Sequence, residues 1–134
     1  MSASGESKVL IIDDEADVCF LLGRILNKRN LNTDFVKSLA EAAVSIESNP
    51  PTVVFLDNSL PDGQGIEFIP QLKAACPEAL VIMVTANDGL TDKKRAFQLG
   101  ADDFLAKPLS REIIYSSLDK LGLRASLSET FPAL

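Results

Sequence analysis

The chain has 134 residues, 13 of them basic, 19 acidic and none histidine, for a net charge of -6, and 46% of it is apolar. That length makes one ordinary domain able to bury roughly two-thirds of its unfolded surface, and the hydrophobicity argues against disorder. No apolar run reaches the ~18–20 residues of a membrane span, the opening MSASGESK lacks the apolar stretch of a secretory signal, and an acidic chain repels phosphate backbones, which makes nucleic acid a poor first partner.

Along the chain the apolar pattern alternates between two periods. Val9-Leu10-Ile11-Ile12 is a solid apolar run closed by Asp13-Asp14. Val18, Leu21, Leu22, Ile25 and Leu26 then follow helical spacing. Thr33-Asp34-Phe35-Val36 is flanked by polar residues and reads as an edge strand. Leu39, Ala42, Ala43 and Ile46 form a second helical stripe, with Ser38 and Glu41 placed as a capping box. Thr52-Val53-Val54-Phe55-Leu56 is a second continuous run, closed by Asp57. The helix expected over 64–75 carries Pro70, which removes a hydrogen-bond donor, so a late start or a kink is expected. Leu80-Val81-Ile82-Met83-Val84 is the third run, closed by Thr85. A helix over 89–99 leads to Gly100, placed as a C-terminal glycine. Phe104-Leu105-Ala106 is a weaker strand before Lys107-Pro108, and Ile113, Ile114, Leu118 and Leu121 make the last helical stripe, with Ser110 as its N-cap. Periodicity stops after Leu121.

Short continuous runs rich in Val and Ile suit strands buried on both faces of a parallel sheet. Five β-α units in alternation, with right-handed crossovers, predict an α/β protein: one three-layer α/β/α sandwich. Residues 1–6 are expected to be disordered, 7–121 to form the domain, and 122–134 to be a tail or the start of a linker.

In open α/β sheets ligands sit at the carboxyl ends of the strands. The residues there are Asp13, Asp14, Asp57, Thr85 and Lys107. Taken singly, each has an ordinary reading as a helix cap, a turn residue or a solvated surface group. Taken together they put a carboxylate, hydroxyl or ammonium at four of five strand ends. Three crowded carboxylates repel one another and need a cation. Lys107 supplies one charge, and a hard divalent ion suits the rest, magnesium first. Without histidine, Ser-His-Asp and Cys-His catalysis and imidazole ligation are excluded. Cys19 and Cys76 alone cannot build a structural zinc site and read as free buried thiols of a reducing cytoplasm.

With these landmarks the sequence resembles the receiver domains of bacterial two-component response regulators. The resemblance covers about residues 7–121, through VLIIDDEADV, VVFLDNSLPDGQG, VIMVTAND and LGADDFLAKPLS. It implies a flavodoxin-like fold of strand order 2-1-3-4-5, as in the chemotaxis member of this fold. It implies that Asp57 accepts a phosphoryl group from a sensor histidine kinase or a histidine phosphotransfer protein. Magnesium, or manganese, would be held by Asp13, Asp14, Asp57 and the backbone carbonyl of Ser59. Thr85 and Lys107 would contact the phosphoryl oxygens, and Lys107-Pro108 would be a cis peptide.

Phe104 falls where the family keeps its switch aromatic, although a plain core or surface phenylalanine is the other reading. Lacking a hydroxyl to hold it outside, its ring would swing inward as Thr85 is drawn to the phosphoryl group. The responding surface would be the fourth helix, fifth strand and fifth helix, with Lys93, Lys94, Arg95, Arg111 and Tyr115, where a downstream protein or a second copy would bind. The resemblance further implies a cytoplasmic signalling domain that catalyses only its own phosphorylation and slow dephosphorylation, with no nucleic acid or membrane contact of its own.

Three rivals are weaker. A haloacid-dehalogenase-type hydrolase needs a second Asp two residues past the nucleophile, where Ser59 stands. A flavin carrier needs phosphate-binding groups after the first strand, where Asp13-Asp14-Glu15 would repel phosphate. A receiver fold kept only for protein contacts would have no need of the complete set of key residues.

Overall fold

The computed structural model describes residues 8–86 and 90–122, the side chains of Leu90 and Thr91 excepted. The sequence expectations for residues 1–6 and for 123–134 lie outside the described residues. Five parallel strands, β1 (Lys8–Ile12), β2 (Asn32–Val36), β3 (Val53–Asp57), β4 (Leu80–Thr85) and β5 (Asp103–Ala106), form one sheet in the order β2-β1-β3-β4-β5. Five helices connect or follow them: α1 (Ala16–Asn27), α2 (Leu39–Ser48), α3 (Ile69–Ala75), α4 (Leu90–Leu99) and α5 (Arg111–Lys120). This is the α/β/α sandwich and strand order that the sequence led us to expect.

Strand alternation splits the core in two. Leu10, Ile12, Val54, Leu56, Val81 and Met83 form one cluster with Ala42 and Ile46 of α2, Ile69 and Leu72 of α3, and Ala96 of α4. Val9, Ile11, Val53, Phe55, Ile82 and Val84 form the other, with Leu22 and Leu26 of α1 and Ile114 and Leu118 of α5. All these residues are buried, and each large aliphatic contributes roughly 1.5–3 kcal/mol by leaving water. The continuous apolar runs of β1, β3 and β4 are therefore explained by two buried faces. β2, an edge strand, keeps Asn32, Asp34 and Phe35 exposed.

Local signals set the helix boundaries. The Ser38 hydroxyl accepts the Glu41 N–H at 3.1 Å, and the Glu41 carboxylate accepts the Lys37 N–H at 2.9 Å. The Ser110 hydroxyl accepts the Ile113 N–H. A 3-10 turn over Gly65–Phe68 precedes α3, so Pro70 sits in the first turn, where its missing N–H costs nothing. The helix starts late, as its proline required. Gly100 ends α4 with φ +123°, a conformation that a side chain would strain.

Register levels the carboxyl ends of the strands. Ile12 pairs with Leu56, Asp57 with Val84, and Thr85 with Ala106. Asp13, Asp57, Thr85 and Lys107 consequently emerge on the same edge of the sheet, Asp13 level with Asp57, Thr85 one residue further along and Lys107 one further again.

Candidate functional site

The ends of four strands meet at this edge. Asp13 is held by its own main chain, whose N–H donates to the Val36 carbonyl at 3.1 Å. Its carboxylate accepts the Glu15 N–H at 2.9 Å. Its carbonyl accepts the Cys19 thiol at 3.3 Å, and burial raises that thiol's pKa to about 11. Asp57 closes β3, with only 5% of its side chain exposed. Carboxylate oxygens of Asp13, Asp14 and Asp57 lie within 4.8 Å of one another, Asp14 being the exposed member. Oxygen donors of like charge at this spacing fit a hard divalent cation.

Lys107 enters the cluster from β5. Its N–H donates to the Thr85 carbonyl at 2.9 Å, which ties its main chain to the end of β4, and the Lys107-Pro108 peptide is cis. The Lys107 ammonium lies 2.8 Å from Glu15, 3.1 Å from Asp13 and 3.4 Å from Asp57. Burial works to lower its pKa, but contact with Glu15, Asp13 and Asp57 outweighs burial and raises it.

In the carboxylates it is burial that prevails over the contacts. Burial, aided by the charge of Asp13, raises the pKa of Asp57 to about 6, against the pull of Lys107 and the Ser59 N–H. Burial likewise raises Asp13, against the Glu15 N–H and Lys107. The folded site thus holds more negative charge than its surroundings solvate, and a cation relieves it.

The segment after Asp57 is fixed by three devices. The Asn58 carbonyl accepts the Gly65 N–H at 3.0 Å, and its side-chain oxygen accepts the Ile66 N–H at 2.9 Å. Gly65 is required by contact, since a Cβ there would sit 2.0 Å from the Asp57 carbonyl oxygen. Between them Ser59–Leu60 and Gly63–Gln64 pair as a small antiparallel ribbon around the Pro61-Asp62 turn. Asp62 reaches α2, where its two carboxylate oxygens accept the N–H groups of Leu39 and Ala40, both at 2.9 Å.

Of the residues singled out in sequence, Asp13, Asp14, Asp57 and Lys107 form one charged cluster. Thr85 is buried at the end of β4, and Ser59 lies in the ribbon two residues past Asp57. Phe104 is 9% exposed and belongs to the core cluster with Met83, Ala96 and Ala101. Its ring already lies inside, so the inward swing expected from the sequence has little area left to bury. The cause is the α4 side of β5, where Ala96 and Ala101 leave room for a large ring. Glu15 and Asp62 were not singled out as site residues, because their contacts join loops 92 and 22 to 23 residues apart. No local pattern announces such contacts.

A doubly wound sheet with an acidic cluster and a lysine at its carboxyl edge defines a class, and comparison with known proteins gives the family. The model of the response regulator receiver domain matches residues 9–119. The response regulator protein PilR of Pseudomonas aeruginosa is 33% identical over 115 residues, covering 83% of this chain and 26% of PilR. A crystal structure of a two-component response regulator from Clostridium difficile superposes with a TM-score of 0.82 at 28% identity, covering 87% of this chain and 95% of that one. The solution structure of the beryllofluoride-activated NtrC4 receiver domain dimer gives 0.80 at 33% identity, covering 84% and 93%. The chain belongs to the response regulator receiver domain family, a family of signalling domains. It spans 26% of PilR and no more than 61% of the next curated relatives it matches.

Proposed function

We propose that Asp57 is the phosphoacceptor and that it takes its phosphoryl group from the phosphohistidine of a sensor kinase or a phosphotransfer protein. The observation that carries this reading is the buried Asp57 carboxylate set between Lys107 and the Asp13–Asp14 pair. An Asp57 oxygen attacks phosphorus in line, the bond from phosphorus to the donor imidazole nitrogen breaks, and the electron pair leaves on that nitrogen. Asp13, Asp14, Asp57 and the Ser59 carbonyl would hold magnesium, or manganese, which when bound neutralises charge on the equatorial phosphoryl oxygens. Lys107 offers an ammonium, and Thr85 a hydroxyl, to the other phosphoryl oxygens. Such a domain catalyses only its own phosphorylation and slow dephosphorylation.

The output we assign to α4, β5 and α5, the surface of Lys93, Lys94, Arg95 and Arg111; Tyr115, expected there from the sequence, instead turns toward α1, where its hydroxyl donates to the Ile25 carbonyl at 2.9 Å and Arg29 lies over its ring. Phe104 and Thr85 couple this surface to Asp57, and it receives a downstream protein or a second copy of the chain. The dimeric state of NtrC4, a relative that covers most of this chain, supports self-association. Residues 7–121 form the receiver and 122–134 a tail or linker. The domain acts in the cytoplasm and contacts neither nucleic acid nor membrane itself. Its charge of -6 supports the former, and among the described residues no helix is long and apolar enough to cross a bilayer.

Incubation with magnesium and acetyl phosphate tests the acceptor. Intact mass should show one phosphoryl addition in the wild type and none in Asp57→Asn. Labelling that persists in the variant places the acceptor elsewhere. Asp13→Asn and Asp14→Asn should each weaken magnesium binding in a calorimetric titration, and unchanged affinity in both removes the proposed metal site.

A further inference from the structure

The phosphotransfer scheme uses Lys107 and gives Glu15 no part, yet Glu15 makes the shortest of the three Lys107 contacts, at 2.8 Å. Glu15 occupies the N-cap position of α1, but its side chain caps nothing there. Its main chain is fixed from both sides. Its N–H donates to the Asp13 carboxylate, and its carbonyl accepts the N–H groups of Val18 and Cys19. The side chain is thereby aimed across the cluster at a lysine 92 residues away.

An ammonium has three N–H donors, and here three carboxylates face them. Phosphorylation spends one Asp57 oxygen on the new bond to phosphorus and moves the negative charge out to the phosphoryl oxygens, which take over the 3.4 Å Asp57 contact and draw Lys107 toward them, away from its other two partners. Asp13 is 3% exposed, so losing Lys107 would strand a buried charge. Glu15 is 60% exposed, and water replaces its lost partner at little cost. Glu15 is therefore the contact that gives way.

We propose that Glu15 is a positioning residue that latches Lys107 in the unphosphorylated state and yields it when Asp57 is phosphorylated. This rests on the reading of Asp57 as phosphoacceptor. Removing the latch should favour the phosphorylated state, because Lys107 no longer has to leave a partner.

The test compares wild type, Glu15→Gln, Lys107→Met and the double variant at saturating magnesium, with beryllofluoride as the phosphoryl mimic and amide NMR as the readout. Glu15→Gln should bind beryllofluoride about two- to fivefold more tightly, the range expected for loss of one exposed ion pair. The gain should vanish in the Lys107→Met background. Equal affinity in wild type and Glu15→Gln overturns the latch, and so does an equal gain with and without Lys107, which would make Glu15 a general source of repulsion. A second readout needs no phosphoryl chemistry. The Lys107 ammonium proton signal should exchange with water faster in Glu15→Gln than in the wild type, and an unchanged exchange rate also overturns the proposal. If wild type takes neither phosphoryl group nor beryllofluoride at Asp57, the phosphoacceptor reading itself falls, whatever the exchange rates show.

Discussion

Asp57 is a carboxylate folded into a place that resists its ionisation. Its pKa, ordinarily 3.8, is raised to about 6 by burial and by Asp13. The folded state then binds its proton more tightly than the unfolded chain does. Stability from this group is fully present below about pH 4 and is lost as pH rises through about 6. Freed of divalent ions by EDTA, the protein should melt at lower temperature at pH 8 than at pH 5. Asp57→Asn should remove most of that slope and stabilise the protein at pH 8 by on the order of 1–3 kcal/mol. Thermal denaturation across pH checks it, and an unchanged slope in the variant would show that Asp57 carries no such strain. Asp103 works with the opposite sign. Burial opposes its ionisation, but the Ser117 hydroxyl at 2.6 Å, the Phe104 N–H and Lys120 lower its pKa, so its contribution is lost only in acid. Both residues are buried aspartates beside a lysine, yet their pKa values move in opposite directions. Asp57 is legible in the sequence because it closes an apolar run, whereas Asp103 precedes the short run Phe104-Leu105-Ala106, where an acidic residue carries no such signal.

The helices and strands themselves followed from periodicity, because each buried face repeats at its own spacing. What periodicity does not carry is how one loop holds another. The ribbon after Asp57 is anchored to α2 by Asp62, which takes the first two helical N–H groups, while Ser38 takes the third with its hydroxyl. The Pro-Asp-Gly sequence announced a turn but not its docking site. Those N–H groups hold the Asp62 pKa down. Asp62→Ala should therefore loosen both elements at once. Amide exchange at Leu39 and Ala40 should accelerate, while Glu41, capped by Ser38, should change less. A matching acceleration at all three would mean that the whole helix end frays and that Asp62 holds nothing in particular. Because the same loop carries Ser59, magnesium binding should weaken slightly in this variant.

At the scale of the molecule, one sheet edge gathers the charge and the neighbouring face would deliver the response. β5 links them, with Lys107 just past its end and Phe104 near its start, packed against the α4 side of the core. With the ring already buried, the area term stabilises the present packing, and a change at Thr85 must act by reshaping that packing. Beryllofluoride should shift amide signals across residues 90–121 and drive self-association detectable by sedimentation velocity. In Thr85→Ala, Asp57 should still bind beryllofluoride while the shifts over 90–121 and the association are lost. Equal responses in both proteins would show that Thr85 does not couple the two. Such changes are hard to follow optically, since the chain has no tryptophan and a single tyrosine. The buried thiol of Cys19 offers another route. It is bonded to the Asp13 carbonyl, so a disulfide reagent can attack only when the acidic loop opens, and its high pKa keeps the reactive thiolate scarce even then. Cys76 lies in the other half of the core, with its thiol toward the Ile46 carbonyl. In a Cys76→Ser background the labelling rate of Cys19 becomes a clock for the opening of the acidic loop. Magnesium should slow that clock, and in the reciprocal Cys19→Ser background it should leave the labelling of Cys76 unchanged.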